Sequence, residues 1–67
     1  MMVVLTPEQA EFLRAADRSA DGLLQPVPMN LASQLHLNVV AEFSGLGGML
    51  ITPSGRNAVH WHDAQHR

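Results

Sequence analysis

Cysteine is absent from this chain of 67 residues, and so is lysine. The first absence removes disulfides, cysteine-type zinc sites and thiol chemistry, and it fits a reducing compartment. It matters because a core this small supplies only about 3–5 kcal/mol, so chains of this length commonly need a further staple. Self-association and a histidine metal site are the two that remain. The second absence bears on polyanions. Cationic charge comes only from Arg14, Arg18, Arg56 and Arg67, set against six carboxylates. Binding to nucleic acid draws much of its strength from neutralising phosphates, and there is little here to neutralise them. Charged residues are 15% of the chain, below the usual ~25%; a sparsely charged surface favours association. No apolar run approaches the ~18 residues that would suggest a membrane span. The opening "MMVVL" is short and lacks the basic start of a secretion signal. The expectation is one soluble, cytoplasmic domain over residues 1–67, with no membrane partner.

What is present reads as helices punctuated by turns. In "TPEQAEFLRAADRSADG", Thr6 suits an N-cap, Pro7 the first helical position, and Gln9 completes a capping box. Glu8 and Glu11 complement the positive start of a helix, with Arg14 and Arg18 further along. Leu5, Phe12, Leu13 and Ala16 form its apolar stripe, and Asp21-Gly22 stops it. The pattern predicts a helix over 7–19. The prolines of "LLQPVPM" exclude a central strand or helix interior, leaving a short β-bridge around Leu23–Gln25. "NLASQLHLN" predicts a short helix capped by Asn30, with Leu31 and Leu35 as its i, i+4 pair and Asn38 left-handed at its end.

"VVAEF" and "GMLIT" flank "SGLG" and predict a β-hairpin whose glycines supply positive φ angles. Alternation places Val39, Ala41 and Phe43 on one face and Val40 and Glu42 on the other. Thr52 and Pro53 then repeat the helix start seen at Thr6 and Pro7. Ala58, Val59 and either Trp61 or His62 should face inward, with 62–67 a fraying tail. Gly55 should allow close packing, and Arg56 should turn outward to pair with Glu42 or Asp63.

The order helix, short bridge, helix, hairpin, helix, together with "GLL", "LASQLHLNVV", the glycine-tipped hairpin and "LITPSGRNAV", resembles the winged-helix group of small bacterial regulators. The likeness runs from Leu5 to Val59, and its most specific piece is Ile51-Thr52-Pro53-Ser54-Gly55-Arg56. It implies a minimal winged-helix-like α+β domain. A full winged helix carries two helices ahead of its wing, the second entering the major groove. Residues 25–38 leave room for about two turns of one helix, so the DNA-reading pair is shortened. Asn30, Ser33, Gln34 and His36 are the polar residues that the retained helix offers. Asn and Gln can pair with adenine edges, but no neighbouring Arg or Lys anchors them on phosphate. Arg56 is the one candidate phosphate contact near the wing.

Other chemistries have less to stand on. Ser54 and the histidines lack the oriented base and third group of a catalytic set, and "TPSG" is a helix cap, not a nucleophile turn. The glycines of "SGLGG" do not lead from a strand into a helix, so they are no dinucleotide fingerprint. No cofactor is implied. His62 and His66 share a helix face at zinc-binding spacing, with His60 and Asp63 nearby, yet two ligands do not make a site. Apolar residues in exposed contexts are better candidates: Met29 beside the prolines, Val40, Leu46 at the loop tip, Met49, and Trp61 near the end of the chain. The sequence therefore predicts a non-enzymatic binding module, a homodimer or one docking onto a larger protein. A DNA-binding regulator is the alternative, and a histidine metal binder a weaker one.

Overall fold

The computed structural model describes residues 3–45 and 47–66. Three helices and one two-stranded antiparallel hairpin make it an α+β fold: α1 (Pro7–Arg18), α2 (Met29–Leu37), β1 (Ala41–Phe43), β2 (Met49–Ile51) and α3 (Pro53–Gln65). The start of α1 carries a complete capping box. Thr6 Oγ1 accepts from the Gln9 N–H at 3.2 Å, and Gln9 Oε1 accepts from the Thr6 N–H at 3.0 Å. Gln9 is buried, and its remaining amide hydrogens reach Gln34 on α2 at 3.0 Å. One side chain thus finishes a helix end and ties two helices together.

After Gly22, the chain runs beside β2. Leu23 bridges Leu50, Leu24 N–H donates to Met49 at 2.9 Å, and Ile51 N–H donates back to Gly22 at 2.9 Å. β2 is therefore hydrogen-bonded on both sides. Pro26 and Pro28, having no N–H, end that pairing. The short bridge expected from the sequence is present. The helix that follows begins two residues earlier than an Asn30 cap implied: Pro28 is its cap, and no side chain completes it.

The end of α2 differs more. Asn38 stays right-handed at φ −85°, and Val39 takes the left-handed conformation at φ 59°. That is a strained place for a β-branched residue. Neighbouring bonds hold it there: Val39 N–H to His36 at 3.0 Å, Val40 N–H to Leu35 at 3.2 Å, and Thr52 Oγ1 to the Val39 carbonyl at 2.6 Å. The consequence is a sharp turn from helix into strand that aims Val40 at the core.

The hairpin pairs Ala41 with Ile51, Glu42 with Leu50 and Phe43 with Met49. Gly47 and Gly48 supply the positive φ angles of its loop. Thr52 then caps α3, its hydroxyl accepting from Gly55 N–H at 3.0 Å. At Gly55, a Cβ would collide with the Val40 carbonyl oxygen and stand 2.9 Å from Ile51 Cγ1. Only glycine lets the helix lie this close to the hairpin. Leu13, Leu35, Val40 and Val59 are the largest fully buried side chains, one or more from each helix and the strand entry.

Fraying was expected from residue 62; the helix runs further. α3 continues to Gln65, because His62 is buried against the core and Asp63 is held by Arg14 of α1. A pattern read along α3 alone contains neither of those contacts.

Candidate functional site

Charge on this molecule is spent mainly between α1 and α3. Arg14 makes a two-pronged contact with Asp63, Nε to Oδ2 at 3.0 Å and a terminal nitrogen to Oδ1 at 2.5 Å. One turn away, Asp17 accepts from Arg56 at 2.7 Å and from His60 Nε2 at 2.7 Å, while Arg56 also donates to the Asp17 carbonyl at 3.1 Å. Hydrogen bonds from His60 and Arg56 lower the Asp17 pKa from its ordinary value. The Arg14 hydrogen bond holds Asp63 well below the usual carboxylate range. The partner expected for Arg56 was Glu42 or Asp63; Asp17 takes that place, because α1 lies across α3 and brings its carboxylate nearer than the hairpin's. Of the three described arginines, only Arg18 makes no ion pair among the described residues.

The exposed residues of α2 are weakly equipped for reading bases. Asn30 and Ser33 face solvent. Gln34 is exposed but its side-chain oxygen is engaged by Gln9. His36 lies against the Phe43 ring, with centroids 5.1 Å apart. Arg56, bonded to Asp17, is not free to reach a phosphate without giving up that pair.

His62 and His66 do share a face of α3, but their rings stack at 4.2 Å between centroids. His62 Nδ1 is 3.4 Å from Asp63 Oδ1, and its buried Nε2 has no hydrogen-bond partner among the described residues. His60 turns away to Asp17. Among the described residues, no three metal-ligating side chains converge.

The apolar candidates separate into two sets. Val40 and Met49, expected at an outer face, are core residues. Val40 is turned inward by the left-handed residue before it, and Met49 lies opposite Phe43 on the covered side of the hairpin. Leu46 lies outside the described residues. Trp61 is 37% exposed, so it covers part of the molecule and presents the rest. Met29 at 73% and Phe43 at 52% are the exposed pair that matters. Both border an apolar cleft of about 270 Å³, which Gln25, Val27, Ala32 and Met49 also line. Phe43 was not singled out by the sequence, since alternation assigned it to the covered face with Ala41. It shares that side, but stays half exposed beside His36 of α2 where Ala41 is buried. The signal available was Met29, placed just after two prolines that hold the chain away from the sheet.

No family model, curated protein or solved structure matches this chain. Among the described residues, no helix is long and apolar enough to cross a membrane.

Proposed function

We propose that this chain is a non-enzymatic protein-interaction module on a minimal winged-helix-like plan. The plan is supported by the Leu23–Leu50 bridge beside the hairpin and by the Thr52-Pro53 entry into α3. The single helix between bridge and hairpin stands where a DNA-reading winged helix has two. The observation that carries the interaction role is the cleft bordered by Met29 and Phe43, large apolar side chains left in water beside a concave surface. Such surfaces mark binding sites. The occupant is a second copy or a larger protein. A DNA-binding regulator is the competing role, and two features weigh against it: Arg56 is paired with Asp17, and α2 has no arginine or lysine.

The deciding experiment compares wild type with a Met29→Asp, Phe43→Asp double variant, both checked by circular dichroism. Complex formation should be lost in the variant, whether seen as a dimer by sedimentation or as a cross-linked partner in the native host. Binding to random duplex DNA should be weaker than the ~10⁻⁴–10⁻⁶ M typical of non-specific binders at physiological salt. Micromolar, salt-steep anisotropy with duplex DNA, reduced by Arg56→Ala, would instead favour the regulator.

A further inference from the structure

Two methionines line the same cleft, and water reaches them very differently. Met29 is 73% exposed and Met49 is 3% exposed. Met29 opens α2 and takes no part in the core cluster. Met49 belongs to that cluster, and its carbonyl accepts from the Leu24 N–H at 2.9 Å. The remaining methionines, Met1 and Met2, lie outside the described residues.

In a chain without cysteine, the thioether is the softest nucleophile, and peroxides oxidise it by two electrons. The sulfur lone pair attacks one oxygen of hydrogen peroxide, the O–O bond breaks, and the departing hydroxide takes up a proton as water. The products are a sulfoxide and water. Attack requires the peroxide to reach the sulfur, and the exposures leave Met29 open to it where Met49 is shut in. The product alters the cleft. A sulfoxide is polar and chiral, where the thioether is apolar and adaptable. Of the side chains that line the cleft, only Gln25 carries a polar group and none carries a charge. An apolar occupant closing over the new oxygen would strip its water without supplying a donor. The fold has no comparable stake, because the side chain stands outside the core.

We infer that Met29 is an oxidation site that turns the cleft off: a peroxide converts its thioether to the sulfoxide, the chain stays folded, and the cleft loses its hold on apolar surface. This inference rests on the interaction role proposed above and adds its regulation.

The test treats the whole folded chain with hydrogen peroxide and maps oxygen uptake by tandem mass spectrometry. Met29 should be oxidised about tenfold faster than Met49 or more, and unfolding in urea should remove the difference. Circular dichroism and melting temperature should stay at their untreated values. Retention on phenyl-agarose then reads the exposed apolar surface with a defined probe. The chain oxidised at Met29 should elute earlier, as should untreated Met29→Gln, and methionine sulfoxide reductases acting on both epimers should restore the original retention. Met29→Leu should hold its retention through the same treatment. A shift that persists in Met29→Leu would trace the effect to another methionine and overturn the inference. Equal oxidation of Met29 and Met49 in the folded chain would overturn it too, as would unchanged retention after Met29 has reacted. Failure of the interaction role looks different: a Met29→Asp, Phe43→Asp variant that keeps the wild-type complex would remove that role, and the regulation with it, even where Met29 reacts first.

Discussion

Substituting Gly55 sets two physical effects against each other, and the structure decides between them. Alanine is the better helix former by roughly 1 kcal/mol in a helix interior. Gly55 lies in the first turn of α3, and helix propensity alone would make Gly55→Ala stabilising. The contact geometry says otherwise. The new methyl would overlap the Val40 carbonyl oxygen and stand 2.9 Å from both the Val40 carbonyl carbon and Ile51 Cγ1. Two of those three atoms are backbone and cannot rotate aside. Val40 is further fixed by the Thr52 N–H, which donates to its carbonyl at 3.2 Å. Relief requires α3 to back away from the hairpin, which opens packing around Val40, Ile51 and Val59. Overpacking of this sort costs about 3 kcal/mol at the upper end of its usual range, leaving a net loss of about 2 kcal/mol. For a domain of this size, that lowers the melting temperature by about 8–16 °C. Thermal unfolding followed by circular dichroism reads the shift directly. Gly45→Ala is the control, since nothing lies within 4 Å of a Cβ there, and its change should stay within about 0.5 kcal/mol. A Gly55→Ala chain that melts at or above the wild-type temperature would refute the close approach.

Three further outcomes are expected. Asp17 and Asp63 have pKa values lowered by their partners, so their contribution is complete above the ordinary carboxylate value and lost as pH falls through the lower folded ones. Melting temperature should decline below about pH 4, with a shallower decline in Asp63→Asn; parallel profiles would show that the Arg14 contact contributes nothing, and exposed pairs of this kind are worth about 0–1 kcal/mol. Thr52→Ala removes both the cap on Gly55 and the bond to the Val39 carbonyl. It should cost about 1–2 kcal/mol in urea unfolding, with Thr52→Ser recovering most of it. His62→Leu replaces a buried ring whose Nε2 lacks a partner among the described residues; a melting temperature equal to or above wild type is expected, and a large fall would mean that the nitrogen is satisfied in solution.

The parts of the fold that were legible in the sequence are those written locally. Thr6, Pro7 and Gln9 specify a helix start within four residues, and Thr52 and Pro53 do the same for α3, so both caps formed where the sequence placed them. Gly55 was legible as a close-packing position because little else explains glycine in the first turn of a helix. What failed depended on contacts far along the chain. The last turn of α3 is ordered by Arg14, whose distance in sequence conceals it. Alternation put Val40 outside because it assumed that the strand began at Val39, whereas the left-handed turn there resets which way the next side chain points. Phe43, which with Met29 gives the candidate site its exposed apolar surface, was hidden for another reason: alternation put it on the side of Ala41, as the register has it, but how much of that side stays uncovered is a property of the packing. The chemistry of the arginines was legible only in number, since their partners are a property of how α1 crosses α3.

That crossing also dictates an order of assembly. Arg14 and Asp63 are separated by 49 positions, and Asp17 and His60 by 43, so the first helix meets its main counterpart only when the last one exists. During synthesis on a ribosome, α1 can form its capping box early, yet it has no α3 to lie against until nearly the whole chain has emerged. Contacts of such long span are slow to form because the intervening loop must be closed before they reward it. The cleft beside Phe43 has a shorter span: its lining residues all lie between Gln25 and Met49, so every one of them is synthesised before α3 emerges, and the surface offered for recognition is drawn from the middle of the chain while the crossing that closes the core joins its two ends.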